Sequence, residues 1–281
     1  MEQTIVKQHC KSCSTPLQGS FCFSCGQRSI SKRFTVKESV GWLLTNIFNL
    51  EKGFLHTSWA LIKAPGKVVS EYLSGITISY AHPFRFIFVW ATASTLIAVY
   101  TGVYDEIGKI TAGMNPNNPF GASFAQEYGK FLKQYMSLMY MAFIPFFAIG
   151  TKLFYLKHKL YFAEHLILNS FSQGVSIAVG LPVMLCYFLV PQSSYMILGV
   201  VSMGLGVLVV SYVNSRFFAE NIILSIVKYI LNYLLLLVLI MILVVIALFV
   251  HGMLIKYAGF ENVYESFKDA AEAAKAAEAA K

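Results

Sequence analysis

The chain has 281 residues, 57% of them hydrophobic and only 13% charged, with a net charge of +8 and a mean hydropathy of +0.61. Soluble domains are about 45–50% apolar and about 25% charged, so this composition excludes an ordinary soluble domain and points to lipid as the main solvent. The basicity is uneven: ten of the 22 Lys and Arg residues lie at or before Arg85, the pattern of a cytoplasmic flank rather than of a nucleic-acid surface. No nucleic-acid partner is expected. Contact with anionic lipid headgroups is.

The predicted architecture is an all-α membrane protein of about five transmembrane helices, with amphipathic interfacial helices and a small N-terminal zinc ribbon. Four segments follow from it: a head over 1–30, a connector over 31–82, a membrane domain over 83–256 and an exposed helical tail over 257–281.

In the head, Cys10-Lys11-Ser12-Cys13 is followed, after eight intervening residues, by Cys22-Phe23-Ser24-Cys25-Gly26. Each CxxC places two thiolates on one tight turn. Two such turns facing each other form a tetrahedral four-sulfur site that suits one structural zinc ion. Four protein ligands leave no open position for a substrate water, and so short a head needs the metal to fold. Redox sensing and iron–sulfur binding are the weaker alternatives. No secretory signal is visible, so the thiols are expected in a reducing compartment, where metal binding prevails over disulfides. His9 is surplus to the ligand count, and Cys186 reads as a small buried hydrophobe.

In the connector, Thr35-Val36-Lys37-Glu38 matches a capping box. Val36, Val40, Leu43, Leu44, Ile47 and Phe48 then follow at helical spacing. A second segment holds Phe54, Leu55, Trp59, Leu61 and Ile62, breaks at Pro65-Gly66, and resumes through Val68, Val69, Tyr72 and Leu73. Both segments are too short to cross a bilayer, so they lie in the headgroup zone or pack under the bundle. Lys63, Lys67, His82 and Arg85 are candidate headgroup contacts, with Arg85 snorkelling towards the phosphates.

The five spans are predicted at about 84–103, 135–154, 165–190, 195–213 and 228–251, with Pro145 and Pro182 inside the second and third. Lys152, Lys157 and Lys159 follow the second span, Arg216 and Lys228 follow the fourth, and Pro191 to Ser194 carries no charge. The first loop mixes Lys109, Lys130 and Lys133 with Asp105, Glu106 and Glu127, and contains the turn-rich Asn115-Pro116-Asn117-Asn118-Pro119. This distribution puts the amino terminus in the cytoplasm and the carboxyl terminus outside, as an odd number of spans requires. The final residues read AAEAAK twice. That exposed-helix pattern, typical of a rigid spacer, carries no functional reading.

The third span has the most polar stripe: Glu164, His165, Asn169, Ser172, Gln173 and Ser176 recur at three or four residues. In lipid such groups must face protein or water. They form either helix–helix hydrogen bonds or a polar pathway for a proton, ion or lipid headgroup. Gly199, Ser202, Gly204 and Gly206 suit close helix packing in the fourth span. No GxSxG, HExxH, Walker loop or paired acidic motif is present, so no enzyme is predicted. Two functions remain. One is a membrane scaffold or accessory subunit docking a protein partner or a second copy; the other is a transporter, channel or scramblase using the third span.

The order of motifs resembles an uncharacterised bacterial membrane-protein family known mainly from Bacteroidota. The resemblance rests on Cys22-Phe23-Ser24-Cys25-Gly26-Gln27, Gly53-Phe54-Leu55-His56-Thr57, Ala64-Pro65-Gly66, Glu71-Tyr72-Leu73-Ser74-Gly75 and Tyr80-Ala81-His82-Pro83. It covers about the first ninety residues. The chain departs from the family at Ile76-Thr77, where a basic pair is common. The resemblance implies the architecture and an inner-membrane location; it implies no reaction.

Overall fold

The computed structural model describes residues 9–17, 19, 21–27, 53–113 and 119–257. The helix expected from Thr35 and the AAEAAK tail lie outside the described residues. After the head come α1 (Phe54–Lys63), α2 (Pro65–Ser74), α3 (Pro83–Tyr100), α4 (Val103–Gly113), α5 (Pro119–Phe154), α6 (Phe162–Leu185), α7 (Tyr195–Phe218) and α8 (Ile222–Tyr257). Five stretches are long and apolar enough to cross a membrane: Pro83–Tyr100, Glu127–Phe154, Phe162–Phe188, Gln192–Phe218 and Ile222–Ala247. The chain is therefore a multi-pass helical membrane protein. It divides into two compact units, Met1–Asn232 and Tyr233–Lys281; within the second, α8 continues as an apolar helix with Leu234, Leu237, Met241 and Phe249 exposed.

The connector forms a helical hairpin. Pro65 opens α2 at the position where a missing N–H costs nothing, and Gly75 closes it at φ +102°. Leu61, Val68, Val69 and Tyr72 are buried in one cluster with Phe86, Phe171, Val213 and Phe218. Tyr72 meets Phe171 edge-on at 5.2 Å, and Phe171 lies 5.9 Å from Phe86. The hairpin thus closes around the first half of α6 together with α3 and α7. This enclosure is why Ala163 to Ser172 are buried without a break.

Gly66 lets the hairpin tip meet α7 backbone to backbone: a Cβ there would stand 2.5 Å from the Arg216 carbonyl oxygen. Backbone cannot yield as a flexible side chain does. Gly66→Ala is therefore expected to cost about 1–3 kcal/mol, read as a lower unfolding midpoint in detergent. An unchanged midpoint would contradict this packing.

The first loop differs from its reading as a polar turn-rich connection. Val103–Gly113 is helical, and the second span belongs to a 36-residue helix beginning at Pro119. Tyr104 and Leu132 are buried with Ala98, packed by Ile107 and Met136. Lys133 pairs with Asp105 at 2.6 Å. The charged residues fall between these apolar positions and hide a short helical stripe.

Candidate metal centre and the polar core beneath it

The two CxxC turns are built alike. The Cys10 N–H donates to the Thr15 carbonyl and the Ser14 N–H to the Cys10 carbonyl, both at 2.8 Å. The Cys22 N–H donates to the Gln27 carbonyl at 2.8 Å and the Gly26 N–H to the Cys22 carbonyl at 2.9 Å. Each turn ends on a left-handed residue, Ser14 at φ 60° and Gly26 at φ 73°. The repeat brings Cys10 Sγ to 3.5 Å from Cys25 Sγ and Cys13 Sγ to 3.5 Å from Cys22 Sγ. All four sulfurs lie within 4.8 Å of one another. A metal–sulfur bond of about 2.3 Å with tetrahedral angles separates sulfurs by about 3.8 Å, inside that span. Hydrogen bonds from the Thr15 hydroxyl and amide lower the Cys13 thiol to about 6, whereas at Cys25 the Gln27 amide also lowers the thiol but burial and the hydrogen bonds shared with the other three cysteines outweigh it and raise it to about 12. The four cysteines can hold a metal ion.

The head is fastened to the connector by Gln27, which is buried. Its Nε2 donates to the Gly75 carbonyl at 2.7 Å and the Thr77 hydroxyl at 3.3 Å. Its Oε1 accepts the N–H of Thr77 at 3.1 Å and of Ile78 at 3.0 Å. Two donors and two acceptors exhaust a primary amide. Lys11 adds a bond from Nζ to the Ser74 carbonyl at 2.7 Å, a cation at the end of α2 where the helix dipole favours one. The connector motif residues act in the same way. Tyr80 donates to Glu71 at 2.5 Å. The Thr57 hydroxyl accepts the Ala81 N–H at 2.8 Å, and His56 Nδ1 lies 3.2 Å from the Ser79 carbonyl.

The four candidate headgroup residues do not gather. Lys63 and Lys67 are exposed at the hairpin tip. His82 and Arg85 lie at the other end of α1, beside Ala81, about 15 Å away along a ten-residue helix. Arg85 does not snorkel: it is 1% exposed. The first turns of α3 are surrounded, Phe86 by Phe54 and Phe171, and Phe84 and Ile87 by Ile144, Ala148 and Leu166. Burial and the neighbouring Arg85 charge lower His82 to about 3, so it is neutral rather than a cation for phosphate. Cys186 is half-buried rather than buried, with its thiol 3.4 Å from the Pro182 carbonyl.

The third-span stripe is placed residue by residue. Glu164 caps α6, accepting the Tyr161 N–H at 2.8 Å. Asn169 Nδ2 donates to Thr151 Oγ1 at 2.9 Å and to the His165 carbonyl at 2.8 Å. Ser172 donates to the Leu168 carbonyl at 2.8 Å, and Gln173 Nε2 to the Tyr229 hydroxyl at 3.1 Å. His165 is 6.5 Å from Phe218 between ring centroids, and a Cβ on Gly206 would stand 3.3 Å from Ser176 Oγ. These contacts fix an antiparallel register for α6 and α7, which sets Asn169 level with Asn214 and Ser172 level with Ser211. All four are buried. His165 Nδ1, Ser211 Oγ and Asn214 Oδ1 have no hydrogen-bond partner among the described residues. Asn169→Ala removes an interhelical bond worth about 0.6–1.7 kcal/mol; its expected readout is a lower unfolding midpoint, and an unchanged midpoint would argue against a packing role.

One polar cluster escapes a reading by sequence. Where α7 turns into α8, Glu220 accepts from Lys228 Nζ at 2.5 Å, from Ser225 Oγ at 2.5 Å and from the Tyr155 hydroxyl. Lys228 Nζ sits 4.0 Å above the Tyr155 ring, which stacks on Phe218 at 3.7 Å. The only signal in the sequence is a Glu and a Lys eight residues apart across a turn. Tyr155 is 65 residues away from Glu220.

Spans and head together define a multi-pass helical membrane protein carrying a four-cysteine head able to hold a metal ion. Residues 51–95 match the model of a family described as a protein of unknown function, DUF3667. That segment contains the hairpin, the Gly75 turn that receives Gln27, and the start of α3. No curated protein and no solved structure matches the chain.

Proposed function

We propose that this chain is a non-enzymatic scaffold or accessory subunit of a bacterial inner membrane. Its amino terminus is cytoplasmic, its carboxyl terminus lies on the far side, and one structural zinc ion fills the head. A closed four-thiolate set suits zinc and leaves no position for substrate. The clustering of Lys and Arg ahead of Arg85 supports the orientation.

One observation carries the docking role. The metal head is fixed to the membrane domain through Gln27 and Lys11, yet presents Phe21 and Phe23, 63% and 74% exposed, on either side of Cys22. Aromatic anchors on a rigid support are what a binding surface requires. The test is photo-crosslinking in the native cells, with benzoylphenylalanine in place of Phe23. One defined protein adduct, lost on Cys22→Ser, is expected. No protein adduct from either Phe21 or Phe23 would overturn the docking role.

A second reading rests on the unpartnered atoms of His165, Ser211 and Asn214. Buried polar atoms without a partner among the described residues suit water or a passing solute. They keep a transport path along α6 and α7 as the competing proposal.

A further inference from the structure

α1 is held on one side and bare on the other. On the held side Phe54 packs on Phe86 and Trp90, with ring centroids 5.3 and 4.9 Å apart. Trp90 Nε1 donates to Ser58 Oγ at 3.1 Å. Trp90 lies seven residues past Pro83, about 10 Å along α3 at 1.5 Å per residue. The start of α1 is therefore alongside a helix that is already within its membrane-crossing stretch. On the bare side Leu55, Trp59 and Ile62 fall on one stripe at 72%, 59% and 42% exposure. Water is a poor neighbour for such a stripe.

Charge says which neighbour suits it. Lys63 Nζ lies 4.7 Å from the centre of the Trp59 ring, and Lys67 is exposed one turn beyond it. Because Gly66 abuts the Arg216 backbone, the exposed Arg216 joins the same tip, its guanidinium 5.5 Å from the Tyr212 ring. Trp beside Lys and Arg at the end of an apolar stripe is the composition of a membrane–water boundary. Cations there attract anionic leaflets.

We infer that the α1 face of Leu55, Trp59 and Ile62 is immersed in one leaflet, and that Lys63, Lys67 and Arg216 hold anionic phospholipid headgroups at the hairpin tip. The inference rests on the membrane spans alone and stands whether or not the head docks a partner. It separates two surfaces: the hairpin binds lipid, and the aromatic head is left for protein.

The test uses full-length protein in nanodiscs of equal phosphatidylglycerol and phosphatidylcholine. Benzoylphenylalanine replaces Leu55, or replaces Leu96, an exposed residue of α3, as the lipid-facing control. Lipid adducts at position 55 are expected within about twofold of those at 96. Phosphatidylglycerol should exceed phosphatidylcholine at 55 by severalfold, and that excess should vanish in Lys63→Glu/Lys67→Glu. No lipid adduct at 55 while 96 reacts, or protein adducts alone, would overturn the immersion. Lipid adducts without a phosphatidylglycerol excess would overturn the anionic site.

Discussion

Stripping the proposed zinc from the head is expected to speed hydrogen exchange at the Thr77 and Ile78 amides at least tenfold. Both amides donate to Gln27 Oε1, and Gln27 is placed by the knuckle itself, since its carbonyl accepts the Cys22 N–H and Gly26 precedes it in a left-handed turn. A head this small has too little core to keep that geometry without a metal; structural zinc contributes on the order of 10–16 kcal/mol to comparable folds. When the knuckle opens, Gln27 leaves a site in which all four of its amide hydrogen-bonding positions are filled, and the Gly75–Ile78 segment loses its cover. Loss of a single bond of about 1.4 kcal/mol already accounts for tenfold. Gln27→Ala is expected to give the same faster exchange while the head keeps its metal, which separates the clamp from the centre. Exchange at Thr77 and Ile78 that ignores chelation would mean the head and the hairpin are energetically independent.

The second large effect is expected at the α7–α8 turn. Burial works against a charged Glu220, but hydrogen bonds from Lys228, Ser225 and Tyr155 outweigh it and hold the carboxyl below its ordinary value of 4.5. A depressed folded pKa contributes stability that is fully present above the unfolded value and is lost as pH falls through the folded one. Glu220→Gln also strands the Lys228 amine above the Tyr155 ring. At pH 7 the variant is expected to be less stable than wild type by about 1–3 kcal/mol. The gap should begin to narrow as pH drops past about 4.5 and should close further in more acid solution. Thermal unfolding in detergent across that window checks both size and sign. A gap that is constant with pH would show that the carboxylate charge is not what the turn uses.

What could be read from the sequence was whatever is written in spacing. The two CxxC turns are local, and their geometry follows from the repeat of Cys, left-handed residue and carbonyl acceptor. The spans follow from runs of apolar residues, and the hairpin break from Pro65-Gly66. Contacts between distant segments were not legible. Arg85 looks like a snorkelling cation because nothing near it in sequence shows that Phe54, Phe171 and Ile144 enclose the first turns of α3. The third-span stripe looks equally like a channel wall and a seam; only the folded chain shows that Asn169 bonds Thr151 of α5 and that the α6–α7 register sets Asn169 and Ser172 level with Asn214 and Ser211. Gln27 stood out as the end of a motif, but its partner carbonyl and amides lie some fifty residues on. α4 escaped because Asp105, Glu106 and Lys109 interrupt a stripe of Tyr104 and Ile107 too short to register as periodic.

The seam is where the scaffold and transporter proposals make opposite demands. Its hydrogen bonds, Asn169 to Thr151 and Gln173 to Tyr229, join α6 to α5 and α8 and suit a closed bundle, whereas its three unpartnered atoms suit a hydrated path. The most direct measurement is flux of fluorescent lipid and common ions in liposomes holding the purified protein, wild type against Gln173→Leu. The scaffold account predicts no protein-dependent flux in either. Flux that requires the protein and falls in Gln173→Leu would contradict it and make the α6 face a pathway.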